Sequence, residues 1–395
     1  MKEISIVSAV RTPICRKGGE YKDMTAADLA AVPMRESLSR SGIAGDEVDQ
    51  VIFGCVFQQG ENAYLARLAA LRAGLSATVP AFTPNSLCSS GLLAVSLATQ
   101  AIQVEKAEVV VAGGVELVSQ VPFLVNRNKG EGEEPTLIDT VDVVLTDPML
   151  KQRVGCTAEY LAETYQISRT EQDAYALTSH RRAVEATKEG YSRLEIIPVP
   201  SLHSLKGILE NEIPVGRHDT GPRSDLTLVR LARFKPMFQE GGSVTVGNSS
   251  LPADGAAGLL LMDGVLAAKK GIRSLVKIRD YATVALEPAK MGLASGKAIS
   301  EVLATSQLKI QDIDLFEITE SFAAQILAVG LELNLDWRKV NVHGGTLAYG
   351  HPLGASGAIQ LVRLIHALHR YGGRYGIASC CAGGGGGIAI LVEVC

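Results

Sequence analysis

The sequence predicts an α/β protein built from two similar halves with a polar segment inserted between them. Three observations support this fold class. Apolar β-rich runs alternate with helical patterns near both ends of the 395-residue chain, which favours a sheet that contains parallel strands. Residues 116–250 lose this alternation and are more polar. A glycine-bearing turn, a small-residue helix and an apolar strand follow one another at residues 88–111 and again at residues 351–377, which indicates a duplicated half.

The elements follow in order from local signals. Thr25 and Gly42 flank a helical pattern as an N-cap and a C-cap do. In the first part we expect strand 4–10, helix 25–42, strand 51–56, helix 63–73, a turn at 84–86, helix 89–103 and strand 109–112. In the inserted segment we expect a charged stretch at 126–134, a helical stretch at 158–190 and a loop at 201–225. A short buried pair at 243–246 and 256–262 should then precede strand 275–280, helix 298–305, strand 315–318, helix 321–333, strand 340–342, helix 356–371 and two final strands.

Composition argues against several classes of partner. The net charge is only -4, from 38 basic and 42 acidic residues, so neither nucleic acid nor an anionic membrane is expected as the main partner. No apolar run reaches the roughly 18 residues that a membrane span needs. The first ten residues predict a strand rather than a targeting peptide. We therefore expect a cytoplasmic protein.

The seven cysteines are an odd number without a C-x-x-C pair. This usage is typical of a reducing compartment and makes both a disulfide framework and a zinc site unexpected. For any one cysteine taken alone, a buried apolar thiol is the common case. Local context distinguishes two of them.

Cys88 lies between a turn at 84–86 and a clear helical pattern. A sulfur at a helix N-terminus faces unpaired backbone amides and the positive end of the macrodipole, so we expect a lowered thiol pKa. The alternative is a helix that simply begins with a small buried thiol.

His351 and Cys381 lie in glycine-rich segments near the C-terminus. Glycines flank His351, and Pro352 fixes the chain beside it, which suits a turn that directs the ring at a site. The glycines at 383–387 are followed by an apolar strand and not by a helix, so we expect no dinucleotide or phosphate loop. Bare backbone beside the Cys381 thiol is instead suited to amide donors that reach an acyl thioester oxygen.

These segments together resemble the thiolase family from end to end. The motifs are NSLCSSG at 85–91, GNSS at 247–250 with DGA at 254–256, ESFA at 320–323, GHPLG at 350–354 and CAGGG at 381–385. The resemblance implies a duplicated five-layered α-β-α-β-α core with an inserted loop domain, and thioester chemistry on coenzyme A. It implies an N-terminal half formed by residues 1–117 and 252–274, an inserted coenzyme A-binding domain at 118–251, and a C-terminal half at 275–395.

The resemblance also assigns roles to individual residues. Cys88 takes the acyl group, His351 accepts its proton and later helps to hold the enolate oxygen, and Cys381 moves the proton on the α-carbon of the substrate. The amides of Cys88 and Gly383 form one oxyanion hole, and His351 with an ordered water forms the other. A thiolate exchanges one thioester for another at little cost, whereas the carbon–carbon bond requires donors aimed at an enolate oxygen and a nearby base.

Arg223, Ser250 and Phe322 are expected by the same resemblance to bind coenzyme A. Ser250 matches a position that contacts the pantetheine arm, and Arg223 matches one at the adenine end. Arg223 has the equal alternative of an ordinary surface charge, and Ser250 has that of a turn-capping hydroxyl.

Two positions depart from the family pattern. Thr319 stands where the family usually has an Asn or His that holds the catalytic water, so we expect condensation or cleavage to be slowed more than acyl transfer. Arg153 and Val154 stand where short-chain synthetic thiolases usually carry His and Met. We therefore expect a pocket that accepts an acyl group other than, or larger than, acetoacetyl.

The function implied is that of an acyl-CoA C-acetyltransferase. It would either condense two acyl-CoA molecules or cleave a 3-ketoacyl-CoA with free coenzyme A. One alternative is a thiolase-like scaffold that binds acyl-CoA without turnover, for which Thr319 is the best argument, and the other is a condensing enzyme with a nonstandard acceptor. No metal, flavin or nicotinamide cofactor is expected, and the resemblance implies a homodimer or homotetramer.

Overall fold

The computed structural model describes residues 2–126, 136–200 and 215–395. Its central element is a mixed sheet of ten strands. The strands of this sheet and of two small hairpins are β1 (Ile4–Arg11), β2 (Cys15–Arg16), β3 (Gln50–Gly54), β4 (Ala81–Phe82), β5 (Val109–Leu117), β6 (Phe123–Val125), β7 (Leu137–Asp139), β8 (Thr146–Asp147), β9 (Gln152–Arg153), β10 (Ala253–Asp263), β11 (Val276–Ala285), β12 (Leu315–Ile318), β13 (Tyr375–Ala382) and β14 (Gly386–Val394).

The helices pack on and between the strands. They are α1 (Ala26–Ser41), α2 (Leu65–Arg72), α3 (Ser90–Gln103), α4 (Thr140–Val144), α5 (Gly155–Thr164), α6 (Arg169–Lys188), α7 (Leu228–Leu231), α8 (Gly264–Lys269), α9 (Ala294–Ser306), α10 (Ala323–Leu333), α11 (Thr346–Tyr349) and α12 (Leu353–Tyr371). Helix α1 shows how local chemistry sets these bounds. The Thr25 side chain accepts the backbone N–H of Asp28, and Gly42 ends the helix in the left-handed conformation with a φ of 69°.

The two halves of the sheet have the same pairing pattern. In the N-terminal half, β3 is parallel to β5, β5 is antiparallel to β10, and β10 is antiparallel to β1. In the C-terminal half, β12 is parallel to β13, β13 is antiparallel to β14, and β14 is antiparallel to β11. Residues Ile4 to Ile6 of β1 pair with Val276 to Ile278 of β11 and join the halves. The duplication expected from the sequence is therefore present in the topology.

Five layers result from the way the helices cover this sheet. Helices α3 and α12 pack against each other and against strands of both halves, α1 and α2 cover the outer face of the N-terminal half, and α9 covers that of the C-terminal half. The expected five-layered α/β core is confirmed. Because α3 and α12 lie side by side in the central layer, the segments that enter them meet at one place.

Three sequence expectations about elements are wrong. The helical stretch at 158–190 is two helices, because Gln166 has a φ of 53° and Ser168 begins α6 with a capping box to Glu171. Residues 243–246 do not form a strand, since their backbone amides at Ser243 and Val244 donate to the Glu159 carboxylate. Residues 340–342 contribute only a single bridge, from Val340 to Phe316.

Some expectations fall outside the described residues. These are most of the charged stretch at 126–134 and of the loop at 201–225. No helix in the described part of the chain is long and apolar enough to cross a membrane. The division into residues 1–117 with 252–274, 118–251 and 275–395 stays a prediction.

Candidate active site

Cys88 lies on a tight turn immediately before α3. The turn requires Leu87 to adopt a φ of 49°, a left-handed conformation that costs a bulky residue about 1–2 kcal/mol. The Asn85 side chain stabilises the turn, since its Oδ1 accepts the Leu87 N–H at 3.0 Å and its Nδ2 donates to the Val56 carbonyl at 3.0 Å. The turn formed by residues 85–88 thus holds the Cys88 thiol in a fixed position at a pocket.

The expected low pKa of Cys88 is wrong. Burial raises the pKa of this thiol to about 12, and the nearby Cys381 and Glu116 side chains add to the rise. The thiol also precedes α3 by two residues. It therefore lies outside the first turn of the helix, and the dipole field is strongest within that turn. In the free protein, therefore, Cys88 is a neutral thiol.

His351 enters the same pocket from the turn before α12. Its backbone N–H donates to the Leu251 carbonyl at 2.8 Å, which anchors the turn to the segment that leads into β10. Its Nδ1 lies 2.6 Å from Ser356 Oγ, on the first turn of α12. Its Nε2 is buried and has no hydrogen-bond partner among the described residues. Burial lowers the pKa of the imidazole to about 4, so His351 is neutral, with one nitrogen fixed and the other available.

Cys381 lies near the end of β13, beside the Cys88 turn. Burial raises the pKa of its thiol to about 11, and the Ser321 hydroxyl opposes that rise from 3.7 Å. The neighbouring Cys380 points elsewhere, since its Sγ contacts the Cys88 carbonyl at 3.1 Å. All seven cysteines are free thiols.

Glu116 is a buried carboxylate that the sequence analysis missed. It occupies in β5 the position that Cys381 occupies in β13, because Glu116 pairs with Gly255 and Cys381 with Gly387 at equivalent points of the two ladders. Its oxygens accept the backbone N–H groups of residues 56, 57 and 354 at 3.0, 3.2 and 2.9 Å. Burial raises its pKa to about 7. Glu116 thus fixes the loop beside Cys88 to the start of α12.

Thr319 has a hydrogen-bond partner inside the protein, and the role expected of it stays a prediction. Its side chain is fully buried, and its hydroxyl donates to Gln360 Oε1 at 2.9 Å. Among the described residues, those that line the pocket around Cys88 do not include Thr319. Ser321, two residues later, does line this pocket.

The pocket around Cys88, here called the Cys88 pocket, has a volume of about 150 Å³. It brings together Cys88, Ser250, Phe322, His351 and Gly383 from the predicted set, whereas Cys381, Thr319 and Arg223 are not among its described lining residues. The remaining lining is mostly apolar and consists of Val56, Leu87, Val144, Leu145, Arg153, Val154, Met237, Phe238, Val246, Ser249, Leu251, Pro252, Met291, Ser321 and Leu353. Phe322 packs edge-on against Phe238, with ring centroids 5.8 Å apart.

Arg153 and Val154 differ in what they offer this pocket. The Arg153 guanidinium pairs with the Asp142 carboxylate at 3.0 Å, and both side chains are largely exposed. Val154 instead packs, together with the partly buried Phe238, against a buried apolar cluster that includes Phe322. Charge is therefore confined to the rim, and the interior is apolar.

A second pocket, here called the Arg223 pocket, adjoins the first. It has a volume of about 270 Å³ and contains Arg16, His180 and Arg223, and it shares Ser249 and Leu251 with the Cys88 pocket. The Arg223 side chain is half-exposed, and its only ion pair within the described residues is a long one of 3.7 Å to Asp225. The guanidinium groups of Arg16 and Arg223 thus lie in a pocket that adjoins the Cys88 pocket. No group of three or more His, Cys, Asp or Glu side chains in the described part of the chain is placed to hold a metal ion.

Comparison with known proteins agrees with this geometry. Residues 4–264 match the thiolase N-terminal domain, and residues 272–394 match the thiolase C-terminal domain. The chain is 40% identical over 397 residues to the acetyl-CoA acetyltransferase of Escherichia coli (strain K12), with 100% of this chain and 99% of that protein covered.

Two solved structures have the same fold. The acetyl-CoA acetyltransferase of Bacillus anthracis superposes with a TM-score of 0.96 at 41% identity, covering 100% of this chain and 99% of that one. The human mitochondrial 3-ketoacyl-CoA thiolase in complex with CoA superposes with a TM-score of 0.93 at 38% identity, covering 100% and 98%. The chain therefore belongs to the thiolase family.

Proposed function

We propose that this chain is an acyl-CoA C-acetyltransferase that works through an acyl group on Cys88. The observation that carries the proposal is the buried, unpartnered Nε2 of His351 in the same apolar pocket as the Cys88 thiol. A buried polar atom without a partner costs free energy unless a ligand or reacting group supplies the partner. A structural histidine would not need this arrangement.

In the first half-reaction, the Cys88 sulfur attacks the carbonyl carbon of an acyl-CoA while its proton passes to His351 Nε2. In the proposed tautomer, Nδ1–H donates to the Ser356 hydroxyl 2.6 Å away, and Nε2 carries the lone pair that takes the proton. The tetrahedral oxygen becomes negative, and the amides of Cys88 and Gly383 are the donors assigned to it. The coenzyme A sulfur then leaves with the proton from His351.

In the second half-reaction, Cys381 acts in its thiolate form, which is the minor form because burial raises the pKa of this thiol to about 11, and removes a proton from the α-carbon of a second acyl-CoA. The resulting carbanion attacks the carbonyl carbon of the Cys88 thioester, and the new carbon–carbon bond forms as the bond from that carbon to the Cys88 sulfur breaks. The Cys88 thiolate then takes the proton from the Cys381 thiol, which restores the Cys381 thiolate. Thiolytic cleavage is the reverse sequence. The Ser321 hydroxyl, 3.7 Å from Cys381 Sγ, stabilises the thiolate form because it donates a hydrogen bond to it.

Coenzyme A is proposed to lie across the two adjoining pockets. Its phosphates would meet Arg223 and Arg16, since guanidinium groups bind phosphate well, and its pantetheine arm would pass Ser250 and Phe322 to reach Cys88. The acyl group would occupy the apolar interior around Val154. Val154 lines this interior where short-chain synthetic thiolases usually carry Met, so an acyl group other than, or larger than, acetoacetyl is the proposed substrate. If acetoacetyl-CoA proved to be the best substrate of a chain-length series, the proposed acyl length would be wrong.

The test is intact-mass measurement after incubation with acetyl-CoA. One acetyl group should be added, a peptide digest should place it on Cys88, and added coenzyme A should remove it. Cys88→Ala should take up none, whereas the matched variant Cys395→Ala, which removes an exposed thiol, should behave as the wild type does. If neither acetyl-CoA nor longer acyl-CoAs leave an adduct, the scaffold hypothesis replaces this one.

Self-association is proposed from the resemblance and from one exposed feature. The hairpin of β6 and β7 carries exposed apolar side chains at Phe123, Val125 and Leu137, and exposed apolar clusters mark protein interfaces. A homodimer or homotetramer would cover them. A cytoplasmic location and independence of any metal or organic cofactor stay predictions.

A further inference from the structure

A third cavity lies where the two halves of the sheet separate. Ile6 is the last residue of β1 that pairs with β11, because its partner Val276 is the first residue of β11. The opening, here called the seam cleft, has a volume of about 740 Å³. Its lining comprises Val7, Ser8, Ala9, Arg40, Ser41, Leu194, Lys270, Gly271, Ile272, Arg273, Leu275, His366 and His369.

The seam cleft is remote from the Cys88 pocket. Helix α12 begins beside His351 and Ser356 and carries His366 and His369 near its other end. Ser356 and His366 are ten residues apart, which at 1.5 Å per residue is about 15 Å along the helix. The two cavities share no lining residue among those described.

The charged side chains of the seam cleft are basic. Arg40 pairs with Glu36 and Lys270 with Glu47, both at the rim. The Arg273 guanidinium has no hydrogen-bond or ion-pair partner in the described part of the chain. No carboxylate is among the described lining residues, so the cleft has a free guanidinium and no lining anion to oppose it.

Ser8 is the second, independent observation. Its side chain is 2% exposed, it lines the cleft, and its hydroxyl has no hydrogen-bond partner among the described residues. It follows an irregularity in the β1–β10 pairing between Ile6 and Ser8, which changes the direction of the side chains locally. Buried hydroxyls are normally hydrogen-bonded, so an unpaired one in a cavity points to a ligand atom.

The two histidines of the cleft are fixed by backbone carbonyls. His366 Nε2 donates to the Ala9 carbonyl and His369 Nε2 to the Leu275 carbonyl, each at 2.9 Å. The Nδ1 of each ring therefore remains for another partner. Burial lowers the pKa of His366, the Glu195 carboxylate opposes this, and Arg40 and His369 add to the lowering.

We propose that the seam cleft binds a phosphate-bearing anion of nucleoside diphosphate size. Arg273 and the Ser8 hydroxyl are the groups that would hold the phosphate oxygens. Val7, Ile272 and Leu275 supply an apolar wall for the body of the ligand. The cleft volume exceeds what inorganic phosphate fills, so the apolar wall is part of the site.

The test is calorimetric titration of the full chain with ADP, inorganic pyrophosphate and adenosine. ADP should bind most tightly, pyrophosphate more weakly, and adenosine not measurably. Arg273→Ala should weaken ADP binding by about tenfold or more, as expected when a charge-assisted hydrogen bond is lost. Ser8→Ala should weaken it by a smaller factor.

Two matched arginine variants distinguish this site from others. Arg338→Ala removes an exposed guanidinium elsewhere and should leave ADP binding unchanged. Arg223→Ala should weaken coenzyme A binding and leave ADP binding at the seam cleft unchanged. If Arg223→Ala abolishes ADP binding and Arg273→Ala does not, the nucleotide occupies the coenzyme A path and the proposal is overturned. An equal effect of Arg273→Ala and Arg338→Ala, or pyrophosphate binding more tightly than ADP, would also overturn it.

Discussion

The Ser356 hydroxyl is positioned to select the tautomer of the His351 ring. It lies 2.6 Å from Nδ1, and both side chains are buried. When Nδ1–H donates to this hydroxyl, the lone pair is on Nε2, where the thiol proton must arrive. Ser356→Ala removes the acceptor and leaves a buried Nδ1–H unsatisfied.

The size of the effect follows from that loss. The lost hydrogen bond costs free energy in both states, but it contributes about 1.5–3 kcal/mol to a cationic ring against about 0.5–1.5 kcal/mol to a neutral one. The difference of about 1–1.5 kcal/mol should slow acylation of Cys88 by about 5- to 13-fold. The pKa of His351, lowered to about 4, keeps the free ring neutral at ordinary assay pH. The deficit should therefore be nearly constant between about pH 6 and pH 9.

The assay is single-turnover acylation by acetyl-CoA, quenched and followed by intact mass. Ser37→Ala is the matched control, since Ser37 is also a buried helical serine, bonded to the Pro33 carbonyl and remote from the site. Urea unfolding of both variants separates a stability effect from a rate effect. An acylation rate of Ser356→Ala within about twofold of the wild type would refute the reasoning, as would an equal loss in Ser37→Ala.

Three further substitutions test separate parts of the site. The pKa of Cys381 is raised by burial and the Ser321 hydroxyl opposes the rise, so Ser321→Ala should move the thiolate limb of the condensation or cleavage pH–rate profile to higher pH, with Cys88 acylation unchanged; a profile identical to wild type would contradict this. The Thr319 hydroxyl is held by Gln360, so Thr319→Val should change the condensation rate by less than about threefold, whereas a larger loss confined to that step would support a water-holding role. Burial raises the pKa of Glu116 from 4.5 to about 7, so the folded state keeps a proton that the unfolded state releases first. The free energy of unfolding should therefore fall as pH rises through that interval, and Glu116→Gln should lack this pH dependence. If the free energy of unfolding, measured with urea, changed with pH equally in both proteins, the reasoning would be wrong.

Local sequence signals predicted most of the helices and strands, because the ends of these elements depend on a few adjacent residues. Thr25 and Gly42 mark the ends of α1 through contacts made within one turn. The break between α5 and α6 has no proline or glycine to mark it, and depends instead on the capping box of Ser168 and Glu171. The segment at 243–246 resembles a strand because Val and Thr follow one another there, but its amides at Ser243 and Val244 donate to Glu159 from another part of the chain.

The sequence predicted the site residues that lie on turns before helices. It did not predict those whose hydrogen-bond partners lie far away along the chain. Cys88 and His351 each precede a helix that the sequence shows, and the duplicated topology brings the two helices together. Glu116 has no motif, since its partners lie at residues 56, 57 and 354. The sequence likewise does not show that the Thr319 hydroxyl donates to Gln360, 41 positions away.

The pKa of Cys88 shows which of two opposing effects is larger. A helix dipole stabilises a charge by about 0.3–2 kcal/mol, or roughly one pKa unit, and only within the first turn. Burial without a cationic partner shifts a pKa by up to about 3–5 units in the opposite direction, and the structure places Cys88 in a mostly apolar pocket beside a neutral imidazole. The thiol is therefore protonated until a thioester enters, and its proton needs an acceptor at that moment. Among the described residues, the Nε2 of His351 is buried without a partner and is such an acceptor, an arrangement that acyl transfer needs and that a scaffold without turnover would leave unexplained.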